Sequence, residues 1–172
     1  MEQADKKKTA NKRKGVPREV WWLPRPRIDK YKGGFPLHFE KKLMRFLGNP
    51  QLVLQPFAGH CEFGVRVDVK RENKPDVIAD AHNLPFKDEV FDAVLLDPPY
   101  ADAYAKKLYD TPPLSFKRYS AEAVRVCKKD GFIVVYHYML SPRLLGTKWY
   151  YLLVLITRVW HKARVVSIFK KK

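Results

Sequence analysis

The chain has 172 residues, 46% of them hydrophobic, which suits one globular domain with its own core. Thirty-four Lys and Arg oppose eighteen Asp and Glu, and the formal net charge of +16 draws polyanions such as nucleic acid. Cys61 and Cys127 lie far apart without metal-ligand spacing, the first twenty residues are polar and basic, and the longest apolar run, Trp149 to Thr157, is about half of what a membrane-spanning helix needs, so no disulfide framework, metal site, secretory leader or membrane association is expected, and the setting read is cytoplasmic.

Residues 1–15 carry Lys6, Lys7, Lys8, Lys12, Arg13 and Lys14 with almost no apolar content, and read as a flexible basic arm ahead of a domain spanning 16–172. From Val16 to Gly34 the chain interleaves Trp21, Trp22, Pro24 and Pro26 with cations. Aromatics among cations suit stacking on bases, and a lid packed on the domain is the alternative. Leu37, Phe39, Leu43, Phe46 and Leu47 recur at helical spacing after Pro36, and Gly48-Asn49-Pro50 closes that helix.

Four strands follow: Leu52 to Leu54, Val65 to Val69, Val77 to Ala79, and Phe91 to Leu96. The last runs into Asp97-Pro98-Pro99-Tyr100. A helix is expected over 116–127, then a turn at Lys129-Asp130-Gly131 and a strand over Phe132 to Tyr136. Two final strands, about Tyr150 to Val159 and Arg164 to Phe169, are separated by Trp160 to Ala163, a hairpin spacing. Apolar strands interleaved with helices indicate an α/β domain around a seven-stranded, mostly parallel sheet with a C-terminal antiparallel hairpin. Scarce Asn and Gln beside abundant Lys and Arg point to a thermophilic source.

The chemistry concentrates where strands end. Ligands of open α/β sheets bind outside the carboxyl ends of the strands. Asp97-Pro98-Pro99-Tyr100 sets a carboxylate, a proline-fixed turn and an aromatic at such an end. Leu54-Gln55-Pro56-Phe57-Ala58-Gly59 is a second strand feeding a small-residue turn. Between the two lies Ala79-Asp80-Ala81-His82-Asn83-Leu84-Pro85-Phe86.

Together, in this order, these segments resemble the class I S-adenosylmethionine-dependent methyltransferases, in their D-P-P-Y amino-methyltransferase branch. The resemblance covers roughly Gly34 to Phe169 and implies a minimal Rossmann-like methyltransferase domain without a target-recognition domain. It implies that Gly34 and Phe35 precede the cofactor turn, and that Pro56, Phe57, Ala58 and Gly59 form it. Asp68 would meet the ribose, Asp80 and Ala81 the adenine, with His82, Leu84 and Phe86 beside them. Asp97, Pro98, Pro99 and Tyr100 would be the catalytic motif, with Asp97 also bordering the cofactor. Gln55 stands where the family usually has an acid, and Cys61 replaces its second glycine. Only Gly59 to Gly64 separates the turn from the next strand, which leaves little room for the usual helix.

An exocyclic aromatic amine is a poor nucleophile, because its lone pair is delocalised into the ring. Asp97 and the Pro98 carbonyl can each accept one amine hydrogen and favour a pyramidal nitrogen. The expected reaction is methyl transfer from S-adenosylmethionine to a nucleic-acid base, with N6 of adenine in DNA leading. An RNA base, or a non-catalytic nucleic-acid-binding module on the same fold, is the alternative. Candidate contacts to nucleic acid are Trp21, Trp22, Tyr104, Lys106, Lys107, Arg143 and Lys148, the last two on a loop expected at the cofactor edge, in a monomer or homodimer.

Overall fold

In a computed structural model, residues 15–25, 34–59, 61–99 and 114–172 are described. The basic arm over 1–14, Tyr100, Tyr104, Lys106 and Lys107 lie outside them. The order of elements is β1 (Arg18–Trp22), α1 (Phe39–Phe46), β2 (Val53–Gln55), β3 (Val65–Asp68), β4 (Val77–Ile78), β5 (Phe91–Leu96), α2 (Phe116–Val126), β6 (Cys127–His137), β7 (Thr147–Ile156) and β8 (Arg164–Lys171). One sheet takes all eight strands of the described residues, in the order β1-β7-β8-β6-β5-β2-β3-β4. Only β8 runs against its neighbours, and it pairs antiparallel with both β6 and β7.

The sheet buries both faces, and strict alternation assigns each residue to one of them. Val53, Ala93, Leu95, Val134, Tyr136, Val166 and Ile168 face α1, where Phe39, Leu43, Met44 and Leu47 meet them. Leu54, Val94, Leu96, Ile133, Val135 and Phe169 face α2, which answers with Tyr119, Ala123 and Val126 at positions i, i+4 and i+7. Ser115 caps α2, its side chain accepting from the Arg118 backbone N–H at 3.4 Å. Gly48 supplies the left-handed residue (φ 83°) after α1.

Three features differ from the sequence reading. The Trp21-Trp22 segment is an eighth strand, parallel to β7 with Trp22 opposite Ile156. Leu23 N–H extends the ladder to the Ile156 carbonyl at 3.0 Å. Strand β6 starts at Cys127, directly after α2, because Cys127 is buried and pairs with Phe91. The Lys129-Asp130-Gly131 turn survives as a bulge inside that strand: pairing resumes at Phe132 opposite Ala93, and Asp130 takes φ 60°. The connection between β7 and β8 spans residues 157–163, longer than expected. Among the described residues no helix is long and apolar enough to cross a membrane.

Candidate functional site

The chain leaves β2 outward to β3 and β4, then returns to β5 and continues to β6 and the hairpin. The sheet therefore reverses direction between β2 and β5, and such a switch point opens a crevice at the carboxyl ends of the two strands. Gln55 to Gly59 leaves β2 on one side of it, and Asp97-Pro98-Pro99 leaves β5 on the other. Asp68 ends β3, and Ala79-Asp80-Ala81 follows β4 on the same edge. Four segments spread over residues 55–99 thus share one edge. Asp97 is half-buried and Pro98 is buried.

Each segment is held by specific bonds. Asp68 is buried, and its carboxylate accepts from the Gly59 N–H at 2.9 Å, the Lys70 N–H at 2.8 Å and the Asn73 amide at 2.9 Å. Three of its roughly four acceptor positions are filled by the chain itself. It fixes the turn after β2, in which Gly59 is left-handed (φ 50°) and the Ala58 N–H bonds the Val67 carbonyl at 3.0 Å. The Gln55 amide turns inward to the Phe63 carbonyl and the Cys61 sulfur. Burial pushes the Cys61 thiol up from its ordinary pKa, so it stays protonated.

The segment after β4 is pinned to α2. His82 Nδ1 lies 2.8 Å from Asp80 Oδ1, and its Nε2 accepts from the Ser115 N–H at 2.9 Å. The two contacts hold the imidazole between Asp80 and the start of α2. Arg125 donates to the Leu84 carbonyl at 3.0 Å and the Phe86 carbonyl at 2.8 Å, and pairs with Glu122 and Asp88. Glu122 in turn accepts from the Leu84 N–H at 2.7 Å. The Arg125 guanidinium holds the Glu122 carboxyl below its usual range. Phe57 packs edge-on against Tyr119 at 5.2 Å, and burial pushes the Tyr119 hydroxyl up to about 12. On the other face Phe35 packs on Phe39 and on Tyr136, next to the end of β6, with Gly34 beside it.

Several expected contacts lie elsewhere. Trp21 is core: it faces Phe46 edge-on at 5.6 Å, under the Lys42 ammonium at 4.2 Å, so it presents no face to a base. Its neighbour Trp22 points to the opposite face and is largely exposed at the end of β1. Lys148 stands in register with Lys170 near the start of β7, at the opposite edge of the sheet. Arg143 belongs to the segment that descends there, tied to mid-sheet by Ser141 N–H on Ser167. That correction follows from the parallel return of β7, which forces the loop after β6 to cross the whole sheet.

The sequence reading missed Ser115, Glu122 and Arg125, whose partners lie up to 41 residues away. It also passed over His137 and Tyr138, stacked at 4.5 Å where β6 ends. Desolvation, with Arg164 nearby, lowers the His137 pKa, and its Nδ1 accepts from the Met139 N–H at 2.9 Å.

No family model and no curated protein matches the chain. Solved structures do. One is the 1,6-didemethyltoxoflavin-N1-methyltransferase of Burkholderia thailandensis with 1,6-didemethyltoxoflavin and S-adenosylhomocysteine bound, at TM-score 0.55 and 14% identity over 77% of this chain and 76% of that one. Another is TrmN from Thermus thermophilus, at 0.56 and 18%, over 82% of this chain and 50% of that one, so the chain spans half of TrmN. The yhhF protein of Escherichia coli matches at 0.52 and 12%, over 92% and 99%. The chain has the Rossmann-like methyltransferase fold.

Asp68→Ala removes the acceptor that the Gly59, Lys70 and Asn73 donors share and should lower stability by about 2 kcal/mol, or roughly 4–8 °C in melting temperature for a domain of this size. A thermal melt within about 1 °C of the parent would show that water replaces the carboxylate.

The Glu122 pKa is lower folded than unfolded, so its contribution is present above the unfolded value, about 4.5, and is lost as pH falls through the folded one. Melting temperature against pH should therefore fall less steeply below about pH 4.5 in Glu122→Gln than in the parent. Parallel curves would remove Glu122 from the acid transition.

Proposed function

We propose that the chain transfers a methyl group from S-adenosylmethionine to the exocyclic amine of a nucleic-acid base, with N6 of adenine in DNA as the leading target. The observation that carries the reading is the pairing of Asp97-Pro98-Pro99 with the left-handed turn at Pro56 to Gly59 across one switch point, on a methyltransferase fold. The sulfonium cofactor would supply the electrophilic methyl group.

The residues present suit that cofactor at two points. Ala58 and Gly59 keep the turn free of bulky side chains, and Asp80 is exposed at the edge where a nucleoside would lie. Asp68 acts mainly through the turn it braces, with one acceptor position left for a hydroxyl. Gln55 contributes to the shape of the loop, since its amide is committed to Phe63 and Cys61.

Asp97 and the Pro98 carbonyl accept the two hydrogens of the target amine and turn its lone pair toward the methyl group. Pro98 and Pro99 have fixed φ and no N–H, so the acceptors are preorganised. Tyr100 stacks on the base. Residues 16–172 serve as the catalytic domain, and the basic residues over 1–15 as an arm on phosphates. A base within a duplex must leave the stack to reach Asp97.

Calorimetry should detect both S-adenosylmethionine and its demethylated product, and labelled methyl should pass to one of DNA, tRNA or rRNA. Asp97→Ala should abolish transfer while cofactor affinity stays within a few-fold. No heat with either ligand at millimolar concentration defeats the cofactor assignment, and near-normal turnover of Asp97→Ala defeats the mechanism.

A further inference from the structure

We infer that the connection between β7 and β8 is a stacking element for single-stranded nucleic acid, in which Trp160 lies against an unpaired base and Arg158 and Lys162 hold the flanking phosphates. The inference rests on the nucleic-acid reading above and deepens it by naming the form of the substrate.

Trp160 is fully exposed, and Val159 beside it is largely so. An indole in water gains nothing for stability. It also sits at φ 57°, a conformation that disfavours bulky residues and that Gly or Asn adopts at less cost. Both its exposure and its backbone therefore run against folding preference, and strain of this kind points toward function. Among the described residues no aromatic contact occupies its ring.

The surroundings say what the ring would meet. Arg158, His161 and Lys162 flank it, and no acidic residue follows Asp130 in the chain. No salt bridge among the described residues involves Arg158 or Lys162. A cationic rim around an apolar aromatic face is complementary to a base on a phosphate backbone. A protein partner with an acidic, apolar surface would satisfy the cations, yet it would not require a flat ring held clear of its own domain.

The position fits the site. Val135 pairs with Leu96, the residue before Asp97, and two residues further on His137 pairs with Val165 of β8. The 157–163 connection therefore projects beyond the edge that carries Asp97. Trp22, opposite Ile156 at the base of the same connection, is also largely exposed there. A strand running along this edge could stack on Trp160 while a neighbouring nucleotide reaches Asp97. Stacking needs an open base face, which a continuous duplex does not offer.

The test is fluorescence anisotropy with fluorescein-labelled single strands of roughly 16 nucleotides, as DNA and as RNA, and with the matching blunt duplex, across a salt series. Trp160→Ala removes no packing and should melt as the parent does. It should weaken single-strand binding roughly five- to hundred-fold with the salt slope unchanged, while Trp160→Phe keeps most of the affinity. Arg158→Gln and Lys162→Gln should each flatten the slope by about 0.7. The DNA and RNA arms show which backbone is preferred.

Trp160→Ala binding single strands like the parent overturns the inference, as does an equal loss on the duplex, or a parent that binds no oligonucleotide. Methyl transfer is scored separately. A parent that binds through Trp160 but methylates no nucleic acid supports this inference and defeats the proposed reaction. A parent that methylates nucleic acid with Trp160→Ala unaltered in binding does the reverse.

Discussion

The short connection between β2 and β3 is the constraint on which the candidate site depends. Parallel neighbours are ordinarily joined through a helix, which both spans the distance and covers the sheet. Here the described residues of 56–64 make the crossing with no helix. Buried polar side chains take over the helix's positional role. Asp68 reaches back from β3 to the Gly59 N–H, and Gln55 reaches forward from β2 to Phe63 and Cys61. The two hold the loop from opposite sides. A carboxylate that elsewhere in a site would face a ligand is turned mostly toward its own backbone, because it is the acceptor that three donors of the loop share.

The same economy recurs after β4. Residues 79–90 reach β5 without a helix, and α2 holds the segment from the side. His82 meets the capping residue Ser115, and Arg125 takes the carbonyls of Leu84 and Phe86. The start of α2 is thereby coupled to the segment that follows β4. The residues at the switch point are positioned by side-chain networks across the top of a rigid sheet, where a larger domain would use additional helices.

The sheet and its site edge were legible because they rest on local pattern. The run from Phe91 to Leu96 ends where its apolar residues end, and Asp97-Pro98 stops it chemically. The α1 and α2 stripes show their period directly. Strand β1 was not legible: Arg18 to Trp22 is short, flanked by prolines and cations, and its place is set by pairing with β7, more than a hundred residues away. Trp21 and Trp22 look alike in sequence, but the alternation of that strand sends one into the core and the other into solvent. Lys148 was misplaced for a topological reason, since a loop's position after β6 does not reveal that it descends to the far edge. The braces at Glu122 and Arg125 depend on contacts to residues 84–88, some forty positions away, that no local pattern encodes.

Charge and topology divide the site edge into two halves. Asp68 ends β3, and Asp80 and Asp97 follow β4 and β5, while the strands beyond, from β6 to β8, and the 157–163 connection carry Arg158, Lys162, Arg164, Trp160 and the His137–Tyr138 stack. Asp80 and Asp97 would favour a sulfonium cation and an amine, while Lys70 and Arg71 after β3 keep that half mixed in charge. The basic, aromatic half has the converse preference. On the proposed reading this polarity orients a polynucleotide before any base is recognised: its backbone settles over β6 to β8, and the base it offers crosses toward β5. Asp97 stands at the boundary, adjoining β6 through the Leu96–Val135 pair and facing β2 across the switch point. On that reading a carboxylate there would repel the backbone and accept the amine, so the field that attracts the substrate would also decide which of its groups approaches the reacting centre.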